Sequence, residues 1–438
     1  VELDDRQAIF VAMQLHQRGQ LDLAEPVYRS VLQLNPQDAN ATHFLGLLQY
    51  QRGQLAEGTA LMRRSIELDG TVASWHNNLG NALLEARELD AATDAYARCH
   101  ALDPGNAEVL NNLGVLRRGQ RRFDLSEAAF RQALALRPDF ADAHANLALL
   151  YYQQERVQEG YTHSAEALRL KPAHRGARRV LGVLYAQLGR LEEAREVFRK
   201  WLQHEPGNVQ ALHHLAACGG GEVPERASDG FVESEFDGFA ASFDAKLAQL
   251  EYHAPELVGG AVARLAAGRG ERWRIVDAGC GTGLCAPWLT PFARRLVGVD
   301  LSGRMLQQAR QRGGYDELVK GELVAFLQGR PAQAELVVSA DTLCYFGPLH
   351  VPLAAARRAL VPGGHLVFTV ERHDDEEGPG HRLDPHGRYS HRRDYLQHTL
   401  AATGFEPLAF DAVTLRFESG KPVAGWLVAA RAAAVPAA

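Results

Sequence analysis

Residues 274–289 read RIVDAGCGTGLCAPWL: an apolar run that ends in an acid, then glycines at 279, 281 and 283, then an amphipathic stretch. Alternate glycines let a backbone pass within contact distance of a bound molecule, because no Cβ stands in the way. Two ligand chemistries compete for such a turn. Gly281, Gly283 and Ala286 fit the G-x-G-x-x-A spacing of a dinucleotide site. Asp277 weighs against that reading, since a carboxylate just before the glycines repels a pyrophosphate where a helix N-terminus should collect anions. The same carboxylate suits a ligand that carries an ammonium group. Hydride chemistry also lacks its Tyr-x-x-x-Lys pair, because Leu349 stands four residues after Tyr345.

A second group of reactive side chains lies in HRLDPHGRYSHRRDYL, residues 381–396. His391 is the candidate general base, since histidine titrates near neutral pH. Arg388 could pair with a substrate carboxylate, and Tyr389 stands beside it. A solvated loop with ordinary charges is the alternative. His373, His381, His386 and His391 are spaced irregularly on a Gly/Pro-rich segment with no HExxH pattern, so no metal site is expected. The five cysteines, at 99, 218, 280, 285 and 344, show no CxxC spacing and read as reduced thiols.

The elements that must carry these residues change character along the chain. Pro36, Pro104, Pro138, Pro172 and Pro206 share a period of 34, with Gly70 at the missing step; Gly46, Gly80, Gly114, Ala148 and Gly182 keep a second register. Leu45, Leu79, Leu113, Leu147 and Leu181 keep a third, Tyr28, Met62, Tyr96, Phe130 and Phe198 would fill the seam, and the apolar residues between markers recur at helical spacing, so each unit predicts two helices. About six repeats span roughly residues 3 to 209, with VQALHHLAAC as a partial closing helix. Gly219 to Gly221 break the period and open a linker over 219–230. Helices are expected over 231–270, where Phe236, Phe239 and Phe243 would share one face and could cover a site. Strands then alternate with helices over 271–438, which predicts a doubly wound, mostly parallel sheet. Its last two strands, joined by ESGKP, predict an antiparallel hairpin.

The repeats over 1–218 resemble the tetratricopeptide repeat, an all-α superhelix that presents a concave face to peptides. Asn78, Asn112 and Asn146 occupy one position of three successive units and resemble the asparagine ladder in the repeat domain of O-linked N-acetylglucosamine transferase. Amides so placed could bond a peptide backbone without reading its sequence; satisfying turns within the array is the alternative.

VDAGCGTG resembles the first motif of class I S-adenosylmethionine-dependent methyltransferases, whose fold is a Rossmann-like, mostly parallel seven-stranded sheet. The likeness runs over roughly residues 231 to 431. It implies S-adenosylmethionine as cofactor, with Asp277 holding the methionine ammonium and the backbone from Gly279 through Cys280 to Gly281 against the ligand. Asp300, in GVDLS, matches the acid that accepts both ribose hydroxyls. Glu322, in KGELV, matches the one near the adenine amino group. Leu301 and Met305 would sandwich the adenine, and Leu323 and Ala340 complete the implied lining. Tyr345 would flank the sulfonium as a catalytic residue beside His391. The tandem is similar to a bacterial group of methyltransferases that carry tetratricopeptide repeats.

A net charge of −6, with 23% charged residues, gives no electrostatic reason to expect nucleic acid or an anionic membrane as partner. No apolar run reaches the roughly 18 residues that span a bilayer, and the first residues are acidic where a secretory signal is basic; a cytoplasmic protein is expected, provided no leader has been removed. The leading expectation is a methyltransferase whose array recruits a peptide or protein. A small-molecule enzyme that uses its repeats for dimerisation or another partner, and a non-catalytic scaffold, are the alternatives. The acceptor atom stays open.

Overall fold

The period of 34 is realised as helix pairs. The computed structural model describes residues 5–240, 243–268, 270, 272–375, 378–418 and 420–433. Second helices begin at Leu21, Leu55, Leu89, Phe123, Val157 and Leu191, each 34 residues after the last. The chain divides into two compact units, Val1–Val180 and Leu181–Ala438, and the division falls inside the helix Arg175–Gln187.

Packing in the first unit explains its markers. A Cβ on Gly80 would lie 2.6 Å from the Tyr96 ring, and one on Gly114 2.5 Å from the Phe130 ring. Both rings are fully buried, so glycine on the first helix is what lets an aromatic side chain of the second lie across it. Ala148 replaces the glycine in the unit where buried Ser164 replaces the ring, so glycine is not required there. Helix starts are capped where the turn allows: Asp38 accepts from Ala41 N, and Asn106 accepts from Glu108 N and Val109 N.

The second unit opens with the helices Leu191–His204 and Val209–Ala217, followed by Asp229–Phe239, Phe243–Gln249 and Ala254–Ala266. The sheet then forms from β1 (Trp273–Ala278), β2 (Ala293–Asp300), β3 (Glu317–Lys320), β4 (Ala334–Ser339), β5 (Leu360–Arg372), β6 (His381–Leu383), β7 (Tyr389–His391), β8 (Phe405–Glu418) and β9 (Lys421–Ala432). Its order is β3-β2-β1-β4-β5, all parallel, after which β9 pairs antiparallel with β5 and β8 with β9. These seven are the expected sheet, and the terminal hairpin is β8–β9. Two further strands, β7 and β6, extend it from the end of β5, so the described sheet has nine strands rather than seven. Apolar layers cover both faces. Leu353, Ala356, Leu396 and Leu400 pack on one, and Val258, Ala261 and Val262 on the other.

The helix expected straight after β1 is only one turn, Ala286–Leu289. Three left-handed glycines precede it, and Pro287 and Pro291 confine it. Among the described residues, the helix that follows the glycine turn is thus too short to offer the strong N-terminal dipole on which a pyrophosphate usually rests.

Among the described residues no helix is long and apolar enough to cross a membrane.

Candidate active site

The chain runs from β1 through β2 to β3 at one edge and resumes at β4 on the other side of β1, so the order reverses between β1 and β4. Ligands of open α/β sheets bind at such a reversal, beyond the carboxyl ends of the strands. Gly279, Gly281 and Gly283 stand there with φ of +82°, +53° and +84°. A Cβ on Gly279 would overlap the Thr342 side chain, so only glycine fits. The turn is fixed from beneath: Gly279 N and Cys280 N both donate to Val299 O, at 2.9 and 3.0 Å. Asp300 Oδ2 accepts from Gly281 N at 2.9 Å, and its Oδ1 from Ser302 N at 2.8 Å. Burial pushes Asp300 up, and these two backbone donors oppose the shift.

Asp277 is fully buried at the end of β1. Its Oδ2 accepts from the Tyr315 hydroxyl at 2.6 Å, while its Oδ1 is buried without a partner. Burial pushes its carboxyl up to about 7; the Tyr315 bond pulls the other way, and the charge on Asp300 adds to the rise. A buried carboxylate oxygen without a partner leaves a hydrogen-bonding position unfilled.

Two helices are tied to this turn. Asp237, on Asp229–Phe239, accepts from the Ser302 hydroxyl at 2.5 Å. Asp244, on Phe243–Gln249, is bonded to Thr282 and paired with Arg312. The Phe243 ring lies 4.0 Å from the place of a Gly281 Cβ, and Phe236 meets both Phe243 and Tyr345 edge to face, at 5.9 and 5.6 Å. The Phe239 side chain lies outside the described residues. The segment ahead of these helices is also held, by Ala227 N donating to Tyr345 O and Gly347 N to Glu225 O, both at 2.8 Å.

Other residues singled out from sequence are placed less openly. Glu322 caps the helix Leu323–Gln328, accepting from Val324 N and Ala325 N. Met305 is 1% exposed, and Leu301, next to Asp300 in the chain, is half-buried. Cys280 and Leu323 are buried, and Ala340 is half-buried against the core.

The loop carrying Arg388, Tyr389 and His391 overturns three expectations. Arg388 Nε donates to Glu371 at 2.5 Å and its Nη2 to Glu418 at 2.6 Å, so the guanidinium is engaged and does not await a substrate carboxylate. Tyr389 is fully buried and its hydroxyl donates to Pro224 O. His391 is fully buried too, donating from Nε2 to Gly347 O at 2.9 Å, and burial pushes it down to about 4. A neutral imidazole closed in on all sides does not exchange protons with solvent, which argues against the general base expected there.

Arg388 belongs to a buried network that the sequence did not announce. Arg416 donates from Nε to Glu418 at 2.7 Å, from Nη1 to Asp341 Oδ2 at 2.7 Å, and from Nη2 to Glu371. Burial pushes Glu371 up, but Arg388 and Arg416 outweigh it and hold the carboxyl well below its ordinary range. From below, His213 of the helix Val209–Ala217 donates to Gly387 O at 2.8 Å and stacks on Phe231 at 3.9 Å.

In the first unit the three asparagines form a ladder with the preceding repeat. Asn112 Nδ2 donates to Asn77 at 3.1 Å, Asn146 Nδ2 to Asn111 at 3.0 Å, and Asn78 Nδ2 meets His43 Nε2 at 3.1 Å. Each bond spans 35 residues, so these amides join repeat to repeat rather than closing turns.

Comparison with known proteins finds both kinds of domain. A family model described as a methyltransferase domain matches residues 276–368, and models of the tetratricopeptide repeat match 15–73, 111–160 and 175–218. The chain carries a methyltransferase domain and tetratricopeptide repeats. Trans-aconitate 2-methyltransferase of Paracidovorax citrulli is 32% identical over 111 residues, covering 25% of this chain and 42% of that protein. Malonyl-[acyl-carrier protein] O-methyltransferase of Salmonella typhimurium is 32% identical over 135 residues, covering 30% and 52%. The chain thus spans about half or less of these curated relatives. A solved S-adenosylmethionine-dependent methyltransferase from Mesorhizobium loti is 23% identical, covering 40% of this chain and 97% of its own, with a TM-score of 0.32.

Within the methyltransferase domain, sequence reasoning missed Tyr315, Asp341, Thr342, Arg416 and Tyr252. Asp341 carried a signal, an acid just past an apolar strand run. Tyr315 and Arg416 carried none, since only the fold brings them 38 and 75 residues along the chain to Asp277 and Asp341.

Proposed function

We propose that the methyltransferase domain binds S-adenosylmethionine and transfers its methyl group to a peptide or protein recruited by the repeats. The observation that carries the cofactor assignment is the buried, partnerless Oδ1 of Asp277 beneath a left-handed glycine turn. That pair fits a ligand with an ammonium group and a backbone-hugging body. Asp300 bonds the turn through both oxygens, and each oxygen keeps a second lone pair for a ribose hydroxyl. The cofactor would supply an activated methyl on a sulfonium, and the chain's task is then alignment and exclusion of water. Asp237, Asp244, Phe236 and Phe243 fix two helices over the turn and act as its lid.

Calorimetry of the full chain with S-adenosylhomocysteine and, separately, with NAD tests the assignment. Binding of the first and not the second is expected; the reverse would overturn it. Incubating the chain with a cell extract and isotope-labelled methyl donor then tests the substrate. Label in protein supports recruitment by the repeats, whereas label confined to small molecules rejects it.

A further inference from the structure

We infer that the acceptor cleft of this domain receives a primary amine, held by the Oδ1 atom of Asp341. The inference rests on the methyltransferase reading above. Asp341 stands two residues beyond β4, at the strand reversal, and the next residue, Thr342, donates to Gly279 O at 3.2 Å. The acid is therefore beside the glycine turn. It is held in the left-handed region at φ +55°, unusual for a residue with a side chain, and its N–H donates to Thr369 Oγ1 at 2.9 Å.

The charge count sets the ligand's sign. Arg416 and Arg388 face three carboxylates, those of Asp341, Glu371 and Glu418. His386 lies 3.4 Å from Glu371, but burial first and Arg388 second push its pKa down, so it adds no positive charge at neutral pH. Burial raises the Asp341 carboxyl and Arg416 opposes that rise; with the acid ionised, the cluster is one positive charge short. It is also one donor short, because Asp341 Oδ2 accepts from Arg416 while Oδ1 is buried without a partner. One cationic group with N–H bonds to give corrects both deficits.

Two half-buried tyrosines feel the charge of Asp341. Burial first and then Asp341 raise the Tyr252 phenol well above its ordinary range, and burial first, with Cys344, Glu235 and Asp341 adding, raises that of Tyr345. The Phe236 ring meets Tyr345 edge to face at 5.6 Å. Aromatic faces beside a carboxylate favour a cation.

The transfer balances without further reagents. The bound ammonium gives one proton to Asp341 Oδ1. With a sulfonium donor bound, the freed nitrogen lone pair would attack its methyl carbon; the N–C bond would form as the C–S bond breaks, leaving the bonding pair on sulfur as a neutral thioether. The methylated nitrogen leaves as an ammonium, and Asp341 returns its proton to solvent.

The test uses the full chain, a cell extract and isotope-labelled methyl donor, and reads the bond that carries the label. Label that survives mild base and appears as an N-methylamine after acid hydrolysis is expected. Release of labelled methanol in base, or label on oxygen or sulfur, overturns the amine and leaves the methyltransferase reading standing. No label together with no affinity for S-adenosylhomocysteine rejects that reading instead. Asp341→Asn should leave S-adenosylhomocysteine affinity unchanged and raise KM for the identified amine at least tenfold, with partial recovery in Asp341→Glu. An unchanged KM in Asp341→Asn overturns the assignment of this residue. A direct titration needs no turnover: with S-adenosylhomocysteine present, n-butylammonium should bind and butyrate should not, and the opposite preference overturns the charge argument.

Discussion

The Tyr315 hydroxyl donates to Asp277 Oδ2 at 2.6 Å, and the other oxygen of the same carboxylate is left buried with nothing to accept. Half of the acid is satisfied by the chain and half is reserved. Because burial pushes Asp277 up to about 7 from 3.8, its folded form holds a proton that the unfolded form releases. Stability from this group is therefore greatest below about pH 4 and falls as the pH rises to 7, at a cost on the order of 4 kcal/mol once the acid is ionised. The charge on Asp300 disfavours that of Asp277, while Asp277 in turn helps burial to raise the neutral thiols of Cys280 and Cys285.

Proton release on cofactor binding follows from that shift. An ammonium beside Oδ1 favours the ionised form, so binding at pH 6 should expel up to one proton, and apparent affinity should rise as much as tenfold per pH unit towards 7. Calorimetry in two buffers of different ionisation enthalpy measures this. Identical heats in both buffers would show that Asp277 does not meet the ligand's charge. Tyr315→Phe should move the release to higher pH.

Removing Arg416 should be costly. Arg416→Met leaves Asp341, Glu371 and Glu418 with one guanidinium among them, and breaking one side of a buried ion pair typically costs about 3–5 kcal/mol. Glu418 is pushed up by burial but brought to about 2 by Arg388 and Arg416, and Glu371 is held low by the same pair. Their contribution is present above the unfolded range near 4.5 and is lost as pH falls through the folded values. Urea unfolding at pH 7 and pH 3 should therefore give a larger gap between the two proteins at pH 7.

His391 should be silent in the pH–rate profile. Its folded pKa of about 4 lies below the ordinary 6.5, so it stabilises the fold above pH 6.5 and loses that contribution, about 3 kcal/mol, as pH falls to 4. His391→Gln keeps a donor for Gly347 O and removes the titration. Transfer should retain its pH profile in this variant, while stability between pH 6.5 and 4 becomes less steep. Loss of an inflection near neutral pH from the rate profile would reinstate the histidine as a base.

The repeats were legible because one physical need recurs every 34 residues, a small residue opposite a large one, as at Gly80 with Tyr96 and Gly114 with Phe130. The strand alternation and the Asp277 turn were legible for a similar reason, since a left-handed glycine turn leaves its mark in local sequence. Arg388 and His391 were misjudged because type and spacing do not reveal burial. Only the pairing of β5 with β7 and the approach of Arg416 from β8 show that these side chains already have partners.

The asparagine ladder allows a structural role and a recognition role to be separated. Asn112 Nδ2 donates to both Asn77 and Asn81, each at 3.1 Å, so Asn112→Ala should cost about 1–2 kcal/mol through two lost bonds. Gly114→Ala touches no amide, yet its new Cβ would lie 2.5 Å from the buried Phe130 ring, and overpacking of that kind costs about 1–3 kcal/mol. The two variants should thus lose comparable stability, with faster hydrogen exchange in the helices Ala73–Glu85 and Ala107–Gly119. Affinity for the protein identified by methyl labelling is where they should part. If the ladder also presents amides to a peptide backbone, Asn112→Ala weakens capture severalfold more than Gly114→Ala does at matched stability. Equal capture by both would confine Asn112 to joining one repeat to the next.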